Sequence, residues 1–142
     1  ILDLAAGPGT STKPLALAFE SSRITAVDLS EPYLQFAKER FSHIKNIDWV
    51  AGDATQLKYP DNTFDCVCST YLFHELPREV RMQVLAEAYR VLKPGGVLAI
   101  ADSLQWDSDS RFNWALERFP VVYHEPFYKN YLMVPMEPLC SE

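Results

Sequence analysis

Four aspartates carry the chemistry that this chain can do. Asp3, Asp28, Asp53 and Asp102 each stand at or near the end of a short β-rich run, and the first three are spaced 25 residues apart, one strand-plus-helix unit. An ionised carboxylate accepts hydrogen bonds and donates none, which suits a diol, an amino group or a cation. Just after Asp3 comes Gly7-Pro8-Gly9. Without a Cβ, Gly7 and Gly9 allow the left-handed torsions of a tight turn and let a ligand come close to the backbone. Such a turn also aims the free N–H groups of a following helix at the ligand. A dinucleotide fingerprint would ask for a third small residue where this chain has Thr12. Asp3 and the other strand-end acids would also repel a pyrophosphate. A cationic nucleoside is therefore the better fit.

Two His-Glu pairs are further candidates, His74-Glu75 and His124-Glu125. His74 follows a predicted strand end, where it either packs and caps the next helix or faces a substrate as a base. His124 reads as an ordinary loop histidine. His74-Glu75-Leu76-Pro77-Arg78 lacks the second histidine of a metalloprotease helix, so no zinc is implied and no metal is expected.

Positioning these residues requires an alternating chain. Ile1–Ala6 is an apolar strand, and Leu15–Phe19 continues as a helix after Pro14, whose missing N–H does no harm in a first turn. Arg23–Asp28 is the second strand; Ser30 caps a helix with Pro32 in its first turn and Leu34, Ala37 and Phe41 on its buried side. Ile47–Ala51 is the third strand and Phe64–Thr70 the fourth, with Cys66 and Val67 expected in the core. Val80, Val84, Ala88 and Leu92 mark a helix from about Arg78 to Leu92. Lys93-Pro94-Gly95-Gly96 should stop it before a fifth strand, Val97–Ala101. Strand and helix in this order predict an α/β, Rossmann-like, doubly wound, mainly parallel sheet with helices on both faces. Ligands of such sheets sit beyond the carboxyl ends of the strands, where strand order reverses.

The chain of 142 residues fits a single domain, with residues 1–102 as a nucleoside-binding core and 103–142 as an aromatic-rich cap or arm. In that tail only Asn113–Phe119 reads as helix. Ile1 stands inside a strand pattern, and no closing pair of strands follows Asp102, so truncation at both ends is expected. A net charge of −6 and scattered Lys and Arg argue against nucleic acid as a partner. No apolar run is long enough to span a bilayer and no charged leader is visible. Cys66, Cys68 and Cys140 match neither a disulfide set nor a zinc spacing, which points to a reducing compartment, the cytoplasm.

In order and at the right spacing, five stretches resemble the motifs of class I S-adenosylmethionine-dependent methyltransferases. They are Asp3-Leu4-Ala5-Ala6-Gly7-Pro8-Gly9, Ala26-Val27-Asp28-Leu29-Ser30, Gly52-Asp53-Ala54, Phe64-Asp65-Cys66-Val67 and Leu92-Lys93-Pro94-Gly95-Gly96. The tail resembles, less closely, quinone-biosynthesis-type enzymes of the type 11 group. Ala5 departs from the pattern, standing where the family has its first glycine. The resemblance implies S-adenosyl-L-methionine as cofactor. Asp3 and the Gly7–Gly9 loop would then hold the methionine end, with Ala5 in the same turn, Asp28 would accept the ribose hydroxyls, Asp53 and Ala54 would sit at the adenine, and Leu29 and Ser69 would also touch the cofactor. It implies methyl transfer, and the position of Tyr71, Phe73 and His74 after the fourth strand points to a small, partly apolar acceptor there, with His74 as the catalytic base where the nucleophile must lose a proton. Trp106, Phe112, Trp114, Tyr123, Phe127, Tyr128 and Tyr131 are expected as apolar walls.

Three other readings stand beside this one. A non-catalytic nucleoside-binding module would keep the same acids and glycines. An NAD-dependent oxidoreductase is disfavoured by Thr12 and Asp3. Methylation of nucleic-acid bases is disfavoured because Ser69-Thr70-Tyr71-Leu72-Phe73 stands where an Asn/Asp-Pro-Pro-aromatic motif would.

Overall fold

A computed structural model describes residues 1–106, 108–136 and 140. Two compact units divide the chain, one of Ile1–Thr70 with Ala86–Ala101 and the other of Tyr71–Leu85 with Asp102–Glu142. Of the expected tail, residues 107, 137–139, 141 and 142 lie outside the described residues.

The first unit is a five-stranded parallel sheet. Its strands are β1 (Leu2–Leu4), β2 (Ile24–Asp28), β3 (Ile47–Ala51), β4 (Phe64–Thr70) and β5 (Leu92–Ala101), in the order β3-β2-β1-β4-β5. From β1 the chain steps outward to β2 and β3, then returns to lay β4 against the other side of β1. The order reverses between β1 and β4, where Leu4 pairs with Ser69. Being central, β1 is buried along its whole length, Asp3 included.

Helix α1 (Thr12–Ala18) links β1 to β2, α2 (Glu31–Arg40) links β2 to β3, and α3 (Arg78–Val91) leads into β5. Right-handed crossovers put α1 and α2 on one face of the sheet and the end of α3 on the other. Ser30 caps α2 by accepting from the Tyr33 N–H at 3.4 Å, with Pro32 in the first turn. Glu31 at its start and Lys38 and Arg40 at its end complement the helix dipole. Leu34, Ala37 and Phe41 are buried as their spacing predicts.

Three expectations need correction. Lys93–Gly96 does not separate α3 from a strand; these residues belong to β5 as a bulge. Phe64 pairs with Leu92 and Cys66 with Val97, so four residues of β5 oppose one of β4 and swell that side of the ladder, helped by the positive φ of 77° at Gly95. The stripe on α3 also differs, being Arg81, Val84, Leu85, Ala88 and Val91, while Val80 and Leu92 are only half-buried. Cys66 is likewise half-buried, and it is Cys68 that lies inside.

The second unit contains a 3₁₀ turn (Phe73–Glu75), the start of α3, a second 3₁₀ turn (Ser110–Phe112), α4 (Asn113–Val122) and α5 (Tyr128–Met133). No strand follows Ala101 among the described residues. α4 runs three residues past the expected end, and α5 carries no helical signal strong enough to be read in advance.

Candidate functional site

The turn after β1 holds three left-handed residues, Ala5 at φ 56°, Gly7 at 52° and Gly9 at 82°. The two glycines do different work. A Cβ on Gly7 would meet nothing within 4 Å, whereas one on Gly9 would lie 2.7 Å from the Trp49 ring and 2.9 Å from Phe41. Gly7 therefore leaves open space over the backbone, and Gly9 lets the loop pack on two aromatic rings. Ala5 takes the same torsion with a methyl group, a conformation worth roughly 1–2 kcal/mol of strain.

Asp3 is fully buried and turned to this loop: its Oδ2 accepts from Ser11 Oγ at 2.9 Å and Thr12 Oγ1 at 2.6 Å. Burial pushes its carboxyl above the ordinary range, against the pull of those hydrogen bonds. The resemblance implies an Asp3 that touches the methionine end; the geometry makes it the post to which the start of α1 is tied. Thr12, which counted against a dinucleotide, is one of the two hydroxyls on that post.

Asp28 closes β2. Its Oδ2 accepts from the Gly7 N–H at 2.7 Å and its Oδ1 from the Ser30 N–H at 2.8 Å. Each oxygen keeps a further lone pair, and the residue is only half-buried. Asp28 thus couples the glycine loop to the cap of α2 and still faces outward. Leu29 beside it is 76% exposed. After β3, Asp53 is exposed and folds onto the Thr55 N–H and hydroxyl, which hold its carboxyl below the ordinary range; Ala54 is half-buried. A cavity of about 150 Å³ opens here, lined by Val27, Gly52, Asp53, Leu57 and Tyr59 among others. It is smaller than the roughly 300–1,000 Å³ of a whole-ligand pocket and could take one part of such a ligand. At the reversal of strand order, Ser69 is buried and its Oγ has no hydrogen-bond partner.

In the second unit His74 is buried inside its 3₁₀ turn. Its Nδ1 lies 2.6 Å from Asp102 Oδ1. Asp102 also accepts from the Phe73 N–H (Oδ2, 2.7 Å) and the Ser103 N–H (Oδ1, 2.7 Å), and is itself only 3% exposed. This strand-end acid is therefore no part of a ligand-facing ring; it orients a histidine. The hydrogen bond to Asp102 raises the His74 imidazole above its ordinary value; burial opposes this, and the charges of Asp102, Glu75 and Glu125 add to the rise. Tyr71, Tyr128 and Tyr131 all meet the imidazole edge-on, with centroids 5.6–6.2 Å away. Tyr71 is 65% exposed at a strained φ of 57°, whereas Phe73 is buried and presents no surface. Of the expected apolar walls, only Tyr128 and Tyr131 are buried; Trp106, Phe112, Trp114, Tyr123 and Phe127 are exposed.

Arg81 holds this arrangement together, and sequence reasoning missed it. Fully buried on α3, it donates from Nε to Phe73 O (2.8 Å) and Leu76 O (3.0 Å), from Nη1 to Asn130 Oδ1 (3.0 Å) and from Nη2 to Phe127 O (3.1 Å). Its guanidinium also lies over the Tyr131 ring. The only available signal was an arginine at i−3 from Val84, on the apolar side of the helix.

These features meet a known pattern. A methyltransferase-domain family model matches residues 1–96, the span from the first strand to the bulge of β5. The chain belongs to the class I S-adenosylmethionine-dependent methyltransferases. It is 39% identical over 103 residues to the ubiquinone/menaquinone biosynthesis C-methyltransferase UbiE of Desulfotalea psychrophila, covering 72% of this chain and 41% of that protein. It is 40% identical over 102 residues to the demethylmenaquinone methyltransferase of Renibacterium salmoninarum, covering 72% and 40%. The chain thus spans about two fifths of the length of these relatives. A solved S-adenosylmethionine-dependent methyltransferase from Aquifex aeolicus superposes with a TM-score of 0.66 at 29% identity, over 77% of this chain and 58% of that one. The Haemonchus contortus phosphoethanolamine N-methyltransferase 1, solved with S-adenosylhomocysteine, gives a TM-score of 0.66 at 27% identity over 72% and 22%. Within this methyltransferase fold, the open space over Gly7, the outward carboxylate of Asp28 and the unpartnered Ser69 hydroxyl at the β1/β4 reversal fit a nucleoside cofactor. No helix among the described residues is long and apolar enough to cross a membrane.

Proposed function

We propose that this domain binds S-adenosylmethionine and transfers its methyl group to a small, partly apolar acceptor of the quinol class. The reading is carried by the carboxyl edge of the sheet: Gly7, Asp28, Asp53 and Ser69 stand there within residues 1–96, the span that matches the family. Asp28 would accept the ribose hydroxyls with its remaining lone pairs, flanked by Leu29. Asp53 and Ala54 would take the adenine, the backbone at Ala5, Gly7 and Gly9 the methionine end, and Ser69, on β4 beside β1, would touch the cofactor on the side away from the adenine. Asp3 supports that loop from beneath. The bound cofactor supplies a methyl group on a sulfonium, an electrophile with an excellent leaving group. Aligning an acceptor with it can then do much of the work.

His74 is the base in this reading, and Tyr71 and Phe73 belong to the acceptor side, Tyr71 by contact and Phe73 as packing. Asp102 accepts from Nδ1–H and so leaves Nε2 as the proton acceptor. The names of the two quinone-pathway relatives support a neutral phenol or activated carbon acid as acceptor. The thiols of Cys66 and Cys68 support a reducing compartment, the cytoplasm, and the net charge of −6 supports a small molecule over nucleic acid as partner.

Calorimetric titration with S-adenosylhomocysteine and with NAD, followed by transfer of labelled methyl to demethylmenaquinol, tests the proposal. The nucleoside should bind tighter and label should appear in the quinol. Tighter NAD binding would overturn the cofactor; binding without transfer to any phenolic acceptor would favour the non-catalytic module. His74→Ala should lower turnover by about 10²–10⁴-fold and leave cofactor affinity nearly unchanged; undiminished turnover removes His74 as base.

A further inference from the structure

We infer that His74, Glu75 and Glu125 form a binding site for one divalent cation of the zinc class. The inference concerns a ligand other than the methyl donor and does not depend on methyl transfer.

The three side chains each offer one ligating atom, and these atoms all lie within 4.8 Å of one another. A zinc ion with bonds of about 2.1 Å wants tetrahedral ligand atoms roughly 3.4 Å apart. The gap closes by small rotations of two flexible glutamates. Glu75 is 62% exposed and Glu125 half-buried, so neither is locked in place.

An acidic cluster alone would mean little. What distinguishes this one is the histidine, whose side chain is only 10% exposed. Its Nδ1 is committed to Asp102 at 2.6 Å, which fixes the ring and leaves Nε2 as the lone-pair nitrogen. Nε2 has no hydrogen-bond partner among the described residues; the nearest charged atom is Glu75 Oε1 at 4.0 Å. A carboxylate behind the imidazole with the opposite nitrogen offered forward is the arrangement that orients and strengthens a metal-bound histidine. Tyr71, Tyr128 and Tyr131 around the ring supply the apolar shell that such sites carry. One imidazole with two carboxylates selects a borderline cation such as Zn²⁺ over Mg²⁺ or Ca²⁺, which prefer oxygen alone. Water would complete the four positions. A metalloprotease helix supplies its second histidine four residues on, whereas here the third ligand would come from Glu125, brought in by the fold.

Calorimetric titration of the full chain with Zn²⁺, thiols reduced and in a non-chelating buffer, should give one ion per chain. Glu125→Gln and Glu75→Gln should each weaken it at least tenfold, with unchanged circular dichroism. Should Glu125→Gln misfold, Glu75→Gln, on an exposed side chain, decides. Co²⁺ should give visible bands without a thiolate-to-cobalt charge-transfer band, and millimolar Mg²⁺ should not displace Zn²⁺. The inference is overturned by the absence of saturable one-site binding, by unchanged affinity in both variants, by a thiolate band, or by displacement with Mg²⁺. Turnover that persists in the zinc-loaded chain would leave the metal site standing and remove only His74 as base.

Discussion

The sheet unit and the aromatic unit satisfy their buried polar groups in opposite ways. In the first, the ladders of five parallel strands spread most of the task over many backbone bonds, and at the carboxyl edge the acids answer backbone amides: Asp28 those of Gly7 and Ser30, Asp53 that of Thr55. In the second, one guanidinium serves three carbonyls and an amide oxygen, and one carboxylate serves two backbone N–H groups and a histidine. Strand ladders tolerate a lost side chain; an arrangement that hangs on Arg81 and Asp102 does not. Under the proposed function the difference would also separate their tasks, the strand edge holding the nucleoside and side chains of the second unit meeting the acceptor.

Arg81→Met breaks the comparison most sharply. It leaves Phe73 O, Leu76 O, Phe127 O and Asn130 Oδ1 without their donor, a loss of about 3–5 kcal/mol concentrated in the second unit. Urea unfolding followed by fluorescence checks this, because Trp106 and Trp114 report on the second unit and Trp49 on the first. Coincident transitions, shifted alike, would mean that the two units do not differ in this way.

Asp28→Ala comes next. Loss of a charged acceptor should weaken S-adenosylhomocysteine binding by about 1.5–3 kcal/mol, roughly ten- to 150-fold by calorimetry. A strand-end acid at a rim should matter little to folding, but this one accepts from two amides, so a modest fall in thermal midpoint is expected as well. An unchanged dissociation constant would reduce Asp28 to a loop tie.

Ala5→Gly acts in the other direction. Relieving a left-handed alanine should stabilise the first unit by about 1 kcal/mol, read as a higher urea midpoint. A lower midpoint would mean that the methyl group packs well enough to outweigh its torsion.

The smallest effect is a slope. Burial holds the Asp3 carboxyl above its ordinary 3.8, against hydrogen bonds from Thr12, Ser11 and Cys68, while the charge of Asp28 adds to the rise. The folded chain thus keeps this proton more tightly than the unfolded one. The stability it contributes is complete below 3.8 and is lost as pH rises through the raised folded value. Asp3→Asn should flatten that fall while keeping an acceptor for Thr12, as urea midpoints from acid to neutral pH will show.

The same contrast explains what could be read in advance. β3 and β4 fall where the sequence places them, because each is a short β-rich run bounded by turn residues. Ser30 and Pro32 mark the start of α2 just as locally. The β5 bulge was misread because Lys-Pro-Gly-Gly is a stop signal in isolation, and only pairing with β4 makes it part of a strand. In the second unit the informative contacts are long-range: His74 with Asp102 is 28 positions apart and Arg81 with Asn130 is 49. No periodicity announces such a pair, and an arginine on the apolar side of a helix reads as an interruption until its four acceptors are seen. The strand-end position of Asp102 was legible, but its commitment to Phe73 and His74 was not.

The two glycines of the first turn carry different histories. At position 9 any side chain would strike Trp49 and Phe41, and the torsion of 82° is unwelcome to L-residues besides. Selection for a folded domain alone is enough to keep that glycine. At position 7 a Cβ would find free space, and only backbone torsion and an approaching ligand would object. A descendant that had abandoned catalysis would be expected to retain glycine 9, with Trp49 and Phe41 drifting only in concert with it, while position 7 wandered. In such a comparison Gly9 would record architecture, and position 7 would be the better witness to whether a nucleoside is still being bound.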